Sequence, residues 1–385
     1  MNYYKEKMMS IHLFRNCLLV FFISTITIAQ ERKVETLQIN QKAPDFNLKG
    51  VDDKTYSLDN FKEFDILVVL FTCNHCPTAQ AYEDKFINYV NQYKNKGVGF
   101  VAISPNSPKA LSLSELGYSD MGDELEDMKI RVKDKKYNFP YLYDGDTQES
   151  SIKYGPVATP HVFVFDRERK LQYTGRIDDT ENPYIEPNEK NFEDALNAML
   201  DGQPVKVTTT KTFGCSIKWA WKDSWTQKLR DDWAKAPVSL EEIDQEGIRS
   251  EISNNSEKLK LINIWATWCG PCIIEFPDFV RIDRMYRGRE FEFVSISADK
   301  LKNKEKALKF LQKKEASNRN LIFNGDNSYD LIEAVDKDWQ GALPYTMLVA
   351  PGGEIIYKID GPIDPLTVKK KIVEYLGRYY ADDNN

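Results

Sequence analysis

Two cysteine pairs with C-x-x-C spacing are the residues of this 385-residue chain best suited to chemistry: Cys73/Cys76 in F-T-C-N-H-C-P-T and Cys269/Cys272 in W-C-G-P-C. Thiols at this spacing near a helix start lie close enough to alternate between dithiol and disulfide. The reactive form is the thiolate, which unpaired backbone N–H groups and the positive end of a helix dipole favour. Of the six cysteines, Cys17 falls in an N-terminal apolar run, leaving Cys73, Cys76, Cys215, Cys269 and Cys272. An odd number in an exported chain implies a thiol that is free, catalytic or conditionally paired. The short C-x-x-C gaps staple nothing, so the pattern is redox rather than structural. No metal is expected, because the pairs lie much further apart than the roughly 15–20 residues of a zinc ribbon, with no His cluster beside them.

Each pair has its own surroundings. In the second, Gly270-Pro271 keeps the loop tight, a proline in the first turn sacrifices no helical hydrogen bond, and Trp268 offers apolar cover. Pro344 in A-L-P-Y, distant in sequence but preceding a strand, is a candidate cis peptide beside these thiols. In the first, Cys73 is placed at the helix start and Cys76 one turn on, with Asn74 and His75 between them. A protonated His75 would stabilise thiolate at Cys73 and make this pair the more oxidising of the two. The competing reading is a solvent-exposed histidine with no electronic role. Thr159-Pro160-His161 supplies the matching candidate cis-proline, Pro160, with His161 read as packing or hydrogen-bonding. Cys215, in F-G-C-S-I-K-W, is either a resolving thiol for Cys73 or Cys76 or a buried free cysteine.

The elements that must hold these residues recur. Ile66 to Phe71 reads as a buried strand running into the first pair, and Ala79 to Tyr93 as a helix with an aromatic face. Val98 to Ser104 is a second strand, followed by a charged helical stretch around Asp123 to Lys136. Ala158 to Asp166 and Lys170 to Arg176 form a strand pair, and Asn191 to Leu200 closes the unit as a helix. The same order returns with Leu261 to Ala266, Ile273 to Tyr286, Phe291 to Ser297, Lys302 to Lys314, Ala342 to Ala350, Glu354 to Ile359 and Val368 to Tyr380. A whole domain is duplicated. The expected organisation is a domain over residues 34–219, a connector over 220–235 and a second domain over 236–380.

A formal charge of −7 argues against nucleic acid, whose affinity rests on Lys and Arg, and gives no reason for docking on an anionic membrane. The N-terminus sets Lys5, Lys7 and Arg15 before the uncharged run Cys17 to Ala29, which ends in small residues. That is the pattern of a secretory signal peptide over residues 1–29, cut after Ala29; an uncleaved membrane anchor is the alternative. The mature chain is therefore expected to be soluble and exported, periplasmic or otherwise extracytoplasmic. No cofactor is implied, and nothing bears on oligomeric state.

The residues W-A-T-W-C-G-P-C, then E-F-P and A-L-P-Y-T-M-L-V-A-P-G-G-E-I, resemble thioredoxin-like proteins of the TlpA/ResA type over about Ala236 to Tyr380. The resemblance implies an attacking Cys269, a resolving Cys272, a cis-proline at Pro344 and a proton-transferring Glu275, for which a solvated first-turn carboxylate is the alternative. Asn263 stands where thioredoxin has a buried aspartate. The first half resembles the redoxin (AhpC/TSA) branch over about Val34 to Trp219, through A-P-D-F-N-L, C-N-H-C-P-T, V-A-I-S-P-N, F-P-Y-L-Y-D, Y-G-P-V-A-T-P-H-V-F-V-F-D, G-R-I-D-D and F-G-C-S-I-K-W. In peroxiredoxins a threonine lies three residues before the peroxidatic cysteine; Cys73 holds that place here, while Arg176 remains a candidate cationic partner. The implied fold is α/β, two tandem thioredoxin-like folds, each a central mixed β-sheet flanked by helices. The implied activity is disulfide exchange with protein or small-molecule disulfides, reset by a membrane thiol reductant. The alternative is a hydroperoxide reductase in the first domain, reduced by the second.

Overall fold

The computed structural model describes residues 33–182 and 184–380. The expected signal peptide lies outside them. In chain order the first half forms β1 (Leu48–Gly50), β2 (Thr55–Tyr56), β3 (Ile66–Phe71), α1 (Pro77–Tyr93), β4 (Val98–Ser104), α2 (Leu125–Lys135), β5 (Tyr141–Tyr143), α3 (Glu149–Tyr154), β6 (Ala158–Thr159), β7 (His161–Phe165), β8 (Leu171–Gly175), α4 (Asn191–Leu200) and β9 (Cys215–Ser216). α5 (Ser224–Lys235) follows. The second half forms β10 (Glu241–Ile243), α6 (Gln245–Ser253), β11 (Leu259–Trp265), α7 (Gly270–Tyr286), β12 (Phe291–Ser297), α8 (Lys304–Lys313), β13 (Arg319–Phe323), α9 (Ser328–Val335), β14 (Tyr345–Val349), β15 (Ile355–Asp360) and α10 (Pro365–Leu376).

The duplication is visible in the sheets. The first has strand order β2-β1-β5-β4-β3-β7-β8 and the second β10-β13-β12-β11-β14-β15. β3 pairs parallel with β4 and antiparallel with β7, as β11 does with β12 and β14. Both faces of each central strand are covered, which is why its sequence is an apolar run rather than an alternation. In β3, Val68 and Leu70 face a core with Phe86 and Phe192, whereas Leu67, Val69 and Phe71 face Phe163 and Tyr154. Each fold is the expected mixed sheet flanked by helices. The differences lie at the edges: a β1–β2 hairpin joins β5 in the first sheet, and β10 pairs parallel with β13 in the second.

One expected helix starts late. The charged stretch becomes helical only at Leu125 and leaves Asp123 in the preceding loop. Its carboxylate is used elsewhere, as described next.

Candidate functional site

At the second pair, Cys269 is the N-cap of α7 and its sulfur accepts the Cys272 backbone N–H at 3.3 Å. The two cysteines are joined as a disulfide with Cα atoms 5.4 Å apart. Gly270 and Pro271 are exposed, so the loop faces solvent, while Cys269 and Cys272 belong to a buried apolar cluster with Trp265 and Phe276, against which Leu343 packs. Leu343–Pro344 is a cis peptide. Because Tyr345 pairs with Ile264, Pro344 lies where β11 gives way to the cysteine loop. Asp299 anchors that loop by accepting from Thr267 N (2.8 Å) and Thr267 Oγ1 (2.7 Å). Trp268 is 65% exposed and covers nothing; the apolar bed is Trp265, whose side chain points inward from the strand.

Glu275 is buried rather than a solvated first-turn carboxylate. One oxygen accepts from Ile363 N at 2.9 Å, and the other has no partner among the described residues. Burial pushes its pKa up to about 7, against the Ile363 hydrogen bond and aided by Asp278. Since the unfolded chain ionises near 4.3, the folded state binds the extra proton between about pH 4.3 and 7. Stability therefore falls as pH rises through that window and is flat above it. A Glu275→Gln chain is expected to lose this slope and to gain about 2 kcal/mol over wild type at pH 8. Denaturant midpoints at pH 5 and pH 8 check this; parallel shifts in both chains would refute it. Asn263 is buried and donates to Thr346 Oγ1 at 3.0 Å.

The first pair is built differently from expectation. Cys76, not Cys73, is the N-cap, with Pro77 opening α1. Proline supplies no N–H and has a helix-ready φ, so the helix begins at residue 77 and leaves Cys73 in the loop after β3. Cys76 thus holds the place that Cys269 holds. Residues 71–80 are all buried. Thr159, whose bond to Pro160 is cis, meets both thiols: its Oγ1 shares a hydrogen bond with Cys73 Sγ (3.0 Å), and its carbonyl accepts from the Cys76 thiol (3.2 Å). Cys215 joins them because β9 pairs with β6, setting Cys215 opposite Thr159. Its backbone N–H donates to Cys76 Sγ at 3.3 Å. Gly214 makes this approach feasible: at φ +120°, a Cβ there would lie 2.1 Å from the Thr159 carbonyl oxygen.

His75 is 1% exposed, which removes the solvent-exposed reading. Its Nδ1 lies 2.6 Å from Asp123 Oδ2. Burial opposes its protonation, but the Asp123 carboxylate outweighs that and raises its pKa. Asp123 also accepts from Asn74 N (2.8 Å), His75 N (3.1 Å) and Asn106 Nδ2 (2.8 Å), so one carboxylate shapes the whole Cys73–Cys76 loop. Burial disfavours thiolate at both cysteines. At Cys76 this is overcome by hydrogen bonds from Cys215 and Cys73 and by the charge of His75, and its pKa falls well below the ordinary thiol value; that of Cys73 rises well above it. The thiolate expected at Cys73 therefore belongs to Cys76. Contact with Cys76 and burial raise the pKa of Cys215.

Cys73, His75 and Asp123 bring three metal-ligating atoms within 4.8 Å of one another. The Asp123 oxygens already serve four donors, so the cluster reads as a hydrogen-bonded ion pair rather than a cation cage. Arg176 is not aimed at these thiols; it donates to Asn191 Oδ1 (2.8 Å) and Glu189 Oε2 (2.5 Å). His161 accepts from Val157 N at 3.3 Å, hydrogen-bonds Thr174 Oγ1 at 2.9 Å, and is held neutral by burial, with a pKa of about 3. Sequence reasoning missed Asp123 and Thr159. An aspartate in a turn carries no signal, although Thr159 could have been flagged as the residue before Pro160.

The two sites lie at opposite ends of α7. Cys269 caps its start, while Tyr286 at its end donates to the Ser119 carbonyl (2.8 Å) in the loop that leads to Asp123. A helix of 17 residues spans about 25 Å, too far for direct exchange between the pairs in this arrangement.

Residues 39–174 match the AhpC/TSA family and residues 232–375 match the Redoxin family. The chain is 28% identical to the thiol:disulfide interchange protein HelX of Rhodobacter capsulatus, over 35% of this chain and 70% of that protein. It is 27% identical to the thiol-disulfide oxidoreductase ResA of Bacillus subtilis, over 31% of this chain and 62% of that protein, less than two thirds of its length. Among solved structures, an uncharacterized conserved protein of Geobacillus kaustophilus matches at 35% identity and a TM-score of 0.43, covering 48% of this chain and 94% of that one.

Proposed function

The chain belongs to the thioredoxin superfamily, as a tandem of an AhpC/TSA-family domain and a Redoxin-family domain, and on that basis we propose that it is a thiol-disulfide oxidoreductase working through Cys269 and Cys272. The observation that carries the reading is the Cys269 sulfur, placed at a helix N-terminus under a backbone N–H and behind a solvent-facing loop. Once the pair is reduced, the Cys269 thiolate attacks one sulfur of a substrate disulfide, breaking that bond and releasing one substrate thiol. Cys272 then attacks the Cys269 sulfur, re-forming the protein disulfide and releasing the second thiol. Two electrons pass to the substrate, and a thiol or dithiol donor restores the pair. Glu275, one turn past Cys272, is the proton acceptor for its thiol. Pro344 shapes the groove in which the mixed disulfide lies.

The similarity to a thiol:disulfide interchange protein and to a thiol-disulfide oxidoreductase supports disulfides as the substrate class. A membrane thiol reductant and an extracytoplasmic location complete the reading; the location rests on residues 1–29, outside the described region. Among the described residues no helix is long and apolar enough to cross a membrane. Peroxide reduction in the first domain has less support, because Cys73 occupies the threonine position and Arg176 is engaged by Asn191 and Glu189.

Trapping tests the proposal. Cys272→Ser should accumulate a mixed disulfide at Cys269 when mixed with reducible protein substrate, visible as a dithiothreitol-sensitive adduct. Absence of an adduct, together with no insulin reduction by the wild-type chain, would defeat it.

A further inference from the structure

We propose that Tyr286 and Arg289 of the second domain are positioning residues of the first thiol site: they fix the loop that carries Asp123 and so hold the Cys73–Cys76 turn in shape. This concerns the first pair alone and stands whether or not Cys269 reduces disulfides. The connection from β4 to α2 covers residues 105–124 and holds only two 3-10 helical turns, Pro108–Ala110 and Leu113–Leu116. A stretch of that length inside a compact domain usually has a task. Its Leu111 and Leu116 are buried in the core of the second domain, with Phe279, Ile282 and Tyr286. Beyond them the Gly117 carbonyl accepts from Arg289 at 3.0 Å, and the same guanidinium holds Gly377 O at 2.7 Å and lies 4.0 Å from the Tyr118 ring centroid. The Ser119 carbonyl accepts from the Tyr286 phenol at 2.8 Å, and both residues are 0% exposed.

The rest of the loop belongs to the thiol site. The Ser119 hydroxyl lies between the Met121 carbonyl (2.8 Å) and the Asn74 carbonyl (3.3 Å). Gly122 O accepts from Asn74 Nδ2 at 2.8 Å, and Asp123 takes the Asn74 and His75 backbone N–H groups and His75 Nδ1. Only residues 120–122 separate the carbonyl that Tyr286 holds from the carboxylate that holds His75. A carboxylate meets several donors at once only while its main chain is fixed. Without the phenol, the buried Ser119 carbonyl must turn towards another donor. Asp123 then moves with it, its hold on His75 weakens, and Cys76 loses part of the charge that favours its thiolate.

The test uses the full chain with Cys269–Cys272 oxidised and reads two titrations: His75, one of three histidines, by NMR, and the Cys76 thiolate by ultraviolet absorbance. His75 is faced by Asp123 and Cys76, with the Lys218 ammonium opposing its charge, so its titration reports on the site itself. Tyr286→Phe keeps the ring in its apolar surroundings. It should move the His75 titration down and that of Cys76 up by about half a pH unit, the share of one hydrogen bond. Arg289→Lys, which gives up the planar fork, should act in the same directions. In an Asp123→Asn background Tyr286→Phe should move neither titration further, because the carboxylate through which it acts is gone. Tyr345→Phe removes another second-domain phenol hydrogen bond, to Asp336 at 2.7 Å, and should move neither. Wild-type titrations in both Tyr286→Phe and Arg289→Lys would overturn the proposal. So would an equal shift in Tyr345→Phe, or a further shift in the Asp123→Asn background.

Discussion

A Cys269→Ser chain is expected to fold normally yet lose disulfide reductase activity by about a thousandfold or more, since a thiolate and not a hydroxyl is the nucleophile in exchange. The substitution is nearly isosteric, and a serine oxygen can still accept the Cys272 N–H at the N-cap. The structural cost is therefore confined to the lost disulfide, whose short loop constrains the unfolded chain little. Insulin reduction with a defined dithiol donor measures the loss, and circular dichroism with a thermal scan confirms the fold. Retention of more than a tenth of the wild-type rate would transfer the activity to the first domain. Because the pairs sit at opposite ends of α7, that result would also require substrate to enter the buried first site unaided.

The largest effect on stability is expected at Asp123. Asp123→Ala removes one carboxylate and leaves four donors without their acceptor: Asn74 N, His75 N, His75 Nδ1 and Asn106 Nδ2. Breaking a buried ion pair from one side costs about 3–5 kcal/mol, because the remaining charge stays desolvated. Here part of that is relieved as His75 gives up its proton. The loss should appear as a lower denaturant midpoint in the transition of the first domain, with Cys73 and Cys76 becoming labelled early. The pH dependence has a definite sign. His75 is raised by Asp123, so its contribution is complete below the unfolded histidine value of about 6.5 and is lost as pH rises through the folded value. Asp123 is lowered, so its contribution is present above about pH 3.9 and is lost as pH falls through the folded value. The wild-type advantage over Asp123→Ala should therefore be greatest in mildly acidic solution. An equal midpoint for the two chains would show that the loop does not depend on this carboxylate.

Much of this architecture is legible locally. Ile66–Phe71 and Leu259–Trp265 are apolar runs whose length and β-branched content admit a buried strand, and each leads straight into a cysteine pair. Pro160 and Pro344, each just before a strand, could be matched to their thiols from element order alone, and both are cis. Helix phase was harder to read. W-C-G-P-C and C-N-H-C-P-T share a spacing, but proline sits inside the first pair's successor position only at Pro77, which moves the helix start from Cys73 to Cys76. Exposure was not legible at all: Trp268 and His75 flank or divide the cysteines in similar ways, yet one is 65% exposed and the other 1%.

The sequence by itself determined the two folds, the two C-x-x-C pairs and their candidate prolines, because strand periodicity, element order and turn residues are properties of neighbours along the chain. Only the tertiary structure decided which thiols meet. Cys215 reaches Cys76 across a two-strand ladder, Asp123 reaches His75 from a loop, and Arg378 reaches Asp120 from beyond the last helix of the second domain. Each of these contacts is set by how whole elements pack, and side-chain spacing along the chain carries no record of them.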